Sequence, residues 1–483
     1  MKKQVFNPYL PLYEYIPDGE PHVYNNRLYV YGSHDKFGAF EFCENDYVTY
    51  SAPLDDLSDW RYEGVIYKKN QDPTNKKGKQ VLFAPDVVQG PDGYFYLYYG
   101  LFFSGYLGVA KSSKPNGPFE FLSHIKYKDG DTLGLKKKDI FQFDPGVLVD
   151  DDNRIYLYSG FGPDKYFPQI KKSQKADGCY VYELDKDMFT VIKGPIKVMD
   201  KKGLAKDKSV GHEFFEASSI RKINGNYYLI YSSINGHELC YAISSSPFGP
   251  FEYKGTLISN GDVYLNGRKP KDALYPLGNN HGGLVKIQDK WYIFYHRHTN
   301  YTNTDRQGMA EEIFIDNNGL FKQVEKTSCG LNGGPLEGKG VYPASICSTL
   351  IPKKGNVFYP FFKIFKNRKT FITQSTKDEE KIESQYIKDI RDGCLIGYKY
   401  FDLSNTTSIT LNISGCAKGK IGISFLENEN PQYFKDININ NKRNIEQRTI
   451  EFPQKASKTP IFLHFFLKSG KLNFYNFELK QIF

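Results

Sequence analysis

Aromatic and β-branched residues crowd into five short runs: NNRLYVYGSHD (25–35), PDGYFYLYYG (91–100), DDNRIYLYSG (151–160), NGNYYLIYSS (224–233) and QDKWYIFYHRH (288–298). Each opens on a turn rich in Asn, Asp or Gly, and runs bounded in this way read as strands of hairpins. In HEFFEASSIRKINGNYYLIYSS (212–233), Asn224-Gly225 stands between two such runs, the strongest short hairpin signal. Aligning Tyr29, Tyr96, Tyr156, Tyr228 and Tyr292 gives steps of 67, 60, 72 and 64 residues, the mark of one supersecondary unit used five times. A second echo, between 106–121 and 239–255, follows in the same order. Helical periodicity is scarce in the first 330 residues. The pattern predicts an all-β chain that begins with a five-bladed β-propeller over 1–330.

After Ile315 the rhythm fades into SCGLNGGPLEGKGVYP (328–343), read as a closing segment and linker over 331–362. Beyond it, Lys/Asn-rich loops separate alternating runs such as SITLNISG (408–415), KIGISFLE (420–427) and IFLHFFLK (461–468). A β-sandwich of the jelly-roll kind over 363–483 is expected, as a separate module.

Composition narrows the partners. The 38 Tyr and 37 Phe favour strands, and exposed rings also suit sugar faces. Lys and Arg exceed Asp and Glu by 64 to 55, but they are spread through turns rather than gathered on one face, which argues against nucleic acid. No apolar run is long enough to cross a membrane, and the N-terminal residues lack a continuous apolar core of the secretory kind. The seven cysteines are widely spaced without metal-binding motifs, so reduced thiols in a cytoplasmic protein are expected.

Strand heads of different blades converge on a propeller's axis, so distant residues can share one pocket there. The candidates are Asp18, Asp86, Asp144, Glu216 and His281, with Arg306 at the start of a later strand. Glycoside hydrolysis needs one carboxylic acid to protonate the leaving oxygen and a second carboxylate to activate water or attack the anomeric carbon. Glu216, between Phe215 and Ala217, has the apolar surroundings of a general acid, and Asp18, beside Gly19-Glu20, stays ionised more easily. Asp144 can raise the proton affinity of Glu216, while His281 and Arg306 can donate to sugar or carboxylate. Phe40, Phe102, Phe103 and Phe161 follow hairpin strands and can wall a pocket. Each residue has a plainer role too: Asp86 and Glu20 as turn residues, His281 as a structural histidine, Arg306 as a partner of Glu311 or Glu312, and the phenylalanines as core. Recurrence at equivalent points of successive repeats favours chemistry.

At these residues the chain resembles glycoside hydrolase family 43, whose members are inverting five-bladed propellers. IPDGEPHV (16–23), FAPDVV (83–88), FDPGVLVDDDNRIYLY (143–158), FFEASSI (214–220) and NNHGGLV (279–285) carry the resemblance, over about Phe6 to Phe321. It implies Asp18 as general base, Asp144 as the orienter and modulator of the acid, and Glu216 as general acid. His281, Arg306, Asp86, Phe40 and Phe102 then become substrate-binding candidates. The Gly19-Glu20 that follows Asp18 departs from the family's common pattern, leaving Glu20 as a rival base. The implied activity is removal of terminal β-D-xylosyl or α-L-arabinofuranosyl residues from hemicellulose-derived oligosaccharides, with no required cofactor; some relatives hold a structural calcium ion in the channel, which makes the surroundings of His281 the place to look for one. Endo-arabinanase action and a non-catalytic glycan-binding propeller are the alternatives. The signatures of fructan-cleaving and sucrose-cleaving propellers are missing, since Glu216 is followed by Ala217 rather than Cys. DGCLIGYKYFDLSNTTSITLNISG (392–415) resembles a family 6 carbohydrate-binding module, in which Tyr398, Tyr400 and Phe401 would either stack on sugars or pack inside.

Overall fold

The computed structural model describes residues 3–163, 168, 170–171, 174–200, 211–356, 358–360, 369–375 and 385–481, apart from the side chains of 442 and 443. The five repeats are five antiparallel blades. Blade 1 comprises Glu20–Tyr24, Arg27–Tyr31, Tyr47–Pro53 and Arg61–Tyr67; blade 2 comprises Leu82–Gln89, Phe95–Leu101, Leu107–Ser112 and Glu120–His124. Blade 3 is built of Gly146–Val149, Ile155–Phe161, Gly178–Leu184 and Thr190–Asp200, with Lys126–Tyr127 added in parallel at its outer edge. Blade 4 has Phe214–Ile223, Asn226–Ser233, Glu238–Ser244 and Glu252–Ser259, and blade 5 has Leu284–Ile287, Lys290–His298 and Arg306–Ile313. The first strands of blades 1 to 4 lie innermost, each against the next, and the first strand of blade 1 also lies against that of blade 5.

The alternating runs are explained by what lies between the blades. Successive side chains of a strand point to opposite faces, so Leu28 and Val30 enter the hydrophobic cluster shared with blade 5, while Tyr29 and Tyr31 enter the one shared with blade 2. Three further clusters fill the gaps between blades 2 and 3, 3 and 4, and 4 and 5. Tyrosine adds a polar tip to this packing. Tyr31, Tyr98 and Tyr158 hold the same place in three blades, and each hydroxyl donates to a carbonyl of the next blade: Pro115, Met188 and Pro247. Buried phenols need such partners.

The ring closes through the N-terminal segment. The Asn7 amide donates to the Ala310 carbonyl and accepts from the Ala310 N–H, reproducing one ladder rung on the third strand of blade 5. A parallel bridge between Gly19 and Gly282 joins the inner edges of blades 1 and 5.

Among the described residues nine strands make the C-terminal β domain, and its three long strands, Thr406–Ser424, Tyr433–Glu451 and Thr459–Gln481, surround one hydrophobic cluster with the shorter ones. The stretch read as a linker contributes three of the nine: Leu336–Glu337, Gly340–Pro343 and Thr349–Ile351. The expected start of this module at 363 lies outside the described residues. Tyr398 and Phe401 are fully buried in the cluster and pack there rather than stack on sugar, while Tyr400 is half-buried and its hydroxyl donates to Glu325.

Candidate active site

Asp18, Ala84, Asp144, Glu216 and His281 line one cavity of about 430 Å³ at the propeller axis. Strand register shows how they reach it. Glu20 pairs with Tyr31, Asp86 with Tyr98, Gly146 with Tyr158 and Ser219 with Ile230, so these residues form one tier of the channel. Two residues earlier, on the same face, stand Asp18, Ala84, Asp144, Ala217 and His281, one level higher. Asp86 therefore belongs to the deeper tier, a correction to its reading as a substrate contact. Its two oxygens take His22 Nε2 at 2.7 Å and the Val147 N–H at 2.7 Å, and the pocket level in its blade is occupied by Ala84. Glu20 lies in the same deeper network, held by Arg221 and Ser219, so Asp18 and not Glu20 faces the cavity.

Glu216 reaches the pocket by a register shift. The ladder between Phe214–Ile223 and Asn226–Ser233 is irregular on both sides of Glu216, and Ala217 takes a left-handed φ of 70°. A bulge of this kind re-aims a side chain. Asp18 and Asp144 are also left-handed, at φ 57° and 45°; such conformations are uncommon outside glycine and gather at functional sites.

The electrostatics separate the carboxyls. Burial alone would raise the proton affinity of Asp18, but Arg306 Nη1, 2.9 and 3.1 Å from its two oxygens, and His296 Nδ1 at 3.3 Å hold it well below the carboxylate range. Glu216 has no hydrogen-bond partner among the described residues; burial, reinforced by the charge of Asp18, pushes its pKa up to about 8. Burial and the charge of Glu216 also push Asp144 up. Asp144 accepts the Ala217 N–H at 3.1 Å, which ties it to the backbone that carries Glu216, and it faces His281 Nδ1 at 3.5 Å. Burial lowers His281 to about 4, so its ring is neutral.

Arg306 is itself fixed. Asp35, fully buried, accepts from Arg306 Nε at 2.8 Å and Nη2 at 2.9 Å, a bidentate fork, and also takes the Cys43 N–H. The Phe42 ring lies 4.7 Å from the guanidinium. Phe40 is 76% exposed and Phe102 37% exposed, both at the cavity wall; Phe103 and Phe161 line it with Phe83, Phe143 and Phe215. Sequence reasoning missed Asp35, Asn279 and these last three phenylalanines. A signal for the three existed: each stands immediately before a residue that lines the cavity, in Phe83-Ala84, Phe143-Asp144 and Phe215-Glu216.

Among the described residues two groups bring three metal-ligand atoms together, Glu20-His22-Asp86 and His212-Glu238-Cys240. Both are internally satisfied. Arg221 pairs with Glu20 and His22 with Asp86, while Glu238 accepts from His212, Ser233, Asn235 and Thr256.

Residues 17–321 match the model of the glycosyl hydrolases family 43. A xylosidase/arabinosidase of Thermoclostridium stercorarium is 46% identical over 422 residues, 87% of either chain. A family 43 enzyme of Xanthomonas citri, solved in complex with xylose, is 25% identical, with a TM-score of 0.51 over 66% of this chain and 93% of that one. An arabinoxylan arabinofuranohydrolase of Bacillus subtilis, 20% identical, shares the fold over 99% of this chain and 97% of its own, at a TM-score of 0.50. An axial pocket holding two carboxyls of opposed proton affinity, on a propeller matched over these residues, makes this chain a glycosidase of family 43.

Proposed function

We propose that the chain removes terminal β-D-xylosyl or α-L-arabinofuranosyl residues from hemicellulose-derived oligosaccharides with inversion at the anomeric carbon. One observation carries the reading: in a single cavity, Glu216 is kept protonated to about pH 8 while Arg306 and His296 keep Asp18 ionised. Acid/base hydrolysis of a glycoside requires that division of labour, and inversion is the course the family resemblance implies. Asp18 takes a proton from a water that attacks the anomeric carbon. Glu216 gives its proton to the departing glycosidic oxygen, and Asp144 holds the Glu216 backbone in place through Ala217. Proton exchange with solvent then restores both groups.

Phe40 and Phe102, at the exposed edge, offer faces to the sugars beyond the terminal one. The xylosidase/arabinosidase name of the Thermoclostridium relative and the xylose in the Xanthomonas complex support the same substrate class. A cytoplasmic place accords with seven unpaired thiols and with short oligosaccharides as substrates.

Calcium takes six to eight oxygen ligands. Near His281 the carboxylate of Asp18 is paired with Arg306, and that of Asp144 accepts a backbone N–H. These residues do not fit a dedicated calcium site.

Turnover of 4-nitrophenyl β-D-xylopyranoside or 4-nitrophenyl α-L-arabinofuranoside by the wild type, with release of the pentose from xylo- or arabino-oligosaccharides, is expected. Inertness toward both aryl glycosides would overturn the reading.

A further inference from the structure

Asn279 lines the cavity, and two histidines of one strand hold it. His296 and His298, on the same face of Lys290–His298, meet edge to face with centroids 5.2 Å apart. His296 Nε2 donates to the Asn279 carbonyl at 2.8 Å, and His298 Nε2 lies 2.7 Å from Asn279 Oδ1. His298 is fully buried, and its Nδ1 has no partner. That asymmetry fixes the proton. An N–H buried without an acceptor is rarer in folded proteins than an acceptor left unsatisfied, so the bare nitrogen is Nδ1 and the N–H sits on Nε2. Burial holds the ring neutral, in agreement. With Oδ1 engaged, the Nδ2 amine of Asn279 has no partner among the described residues.

Gly278 makes the arrangement sterically available. A Cβ there would stand 2.4 Å from His298 Cε1 and 2.6 Å from His298 Nε2.

We propose that Asn279 donates through Nδ2 to an oxygen of the terminal pentose, and that His298 is a positioning residue which sets the direction of that donor without touching the sugar. The inference rests on the pentosidase reading of the pocket. Two other donors of the cavity are committed elsewhere: Arg306 to Asp18 and Asp35, and the Thr304 hydroxyl to the Ala39 carbonyl. Asn279 is thus an amide donor held ready for sugar.

The test is a double-mutant cycle on the full chain with the better of the two aryl glycosides, together with inhibition by the free pentose, D-xylose or L-arabinose. Asn279→Ala should lower kcat/KM about tenfold and weaken pentose inhibition by a similar factor, the scale of one lost hydrogen bond. His298→Phe should do the same, His298→Gln should recover most of the loss, and the Asn279→Ala/His298→Phe pair should be no worse than Asn279→Ala alone. Full multiplication of the two losses would overturn the positioning role, as would a His298→Phe chain that fails to fold alongside a His298→Gln chain no better than Asn279→Ala. An Asn279→Ala enzyme within twofold of the wild type would overturn the sugar contact while leaving the pentosidase reading intact. A wild type inert toward both glycosides would remove that reading and this inference together.

Discussion

Glu216 sits among phenylalanine rings with the charge of Asp18 in the same cavity, and both raise its hold on a proton. A general acid works only while protonated, so kcat/KM should fall as pH rises through about 8. Asp18 works only while ionised; with Arg306 and His296 holding its pKa down, the acid limb should lie below the ordinary carboxylate range. Arg306→Ala removes a cation that lowers both groups, so both limbs should move to higher pH. A pH profile of kcat/KM checks this; unmoved limbs would contradict the assignment. Asp35→Asn should lose about tenfold or more in kcat/KM through Arg306, because the carboxylate half of a bidentate, charge-assisted pair is gone. Asp18, Asp144, Glu216 and His281 were legible as pocket residues because their spacing repeats, and Arg306 because it opens the strand that follows the last repeat. Asp35 was not, since a buried carboxylate that serves another side chain looks like any loop aspartate.

At the scale of the strand, the alternation of Leu28, Tyr29, Val30 and Tyr31 made blades readable, but not the level of each acid along the channel. Asp18, Asp86, Asp144, Glu216 and His281 all stand ten to twelve residues before the aligned Tyr of their repeats. Within that narrow range three things vary independently: hairpin loops of different length, the irregular register around Glu216, and a full tier for Asp86. Only pairing separates them. Ala217, fully buried at φ 70°, is where the strand bends to present Glu216. Ala217→Val places a β-branched residue in a conformation it resists and should cost roughly 1–3 kcal/mol, read as a lower Tm with reduced activity. An unchanged Tm would show that the bend is not strained. Gly282 is a second fixed point: a Cβ there would meet the Phe294 carbonyl oxygen at 1.9 Å, so Gly282→Ala should lower Tm by forcing apart the inner edge of blade 5.

Across the whole molecule the C-terminal domain is locked to the propeller. Arg297, fully buried on blade 5, donates to Gln307, to the Ser345 carbonyl and to Gln385; Lys399 pairs with Asp262 and Glu325, and Arg268 with Glu427. A chain ending at 330 would expose these groups and the partly apolar surface around Tyr275, and it should be far less soluble or melt well below the full chain. A two-module chain was legible from composition and rhythm, whereas the short strands of 336–351 were not, because glycine-rich sequence hides pairings of two to four residues. The central claim, that Glu216 is the acid and Asp18 the base, is tested most directly by varying the leaving group. Glu216→Ala should keep much of its activity toward 2,4-dinitrophenyl β-D-xylopyranoside, whose phenol departs without a proton, and lose roughly 10²–10⁴-fold toward a xylo-oligosaccharide. Asp18→Ala should lose activity toward both. Equal losses for Glu216→Ala on the two substrates, or an Asp18→Ala enzyme that still hydrolyses either, would contradict the assignment.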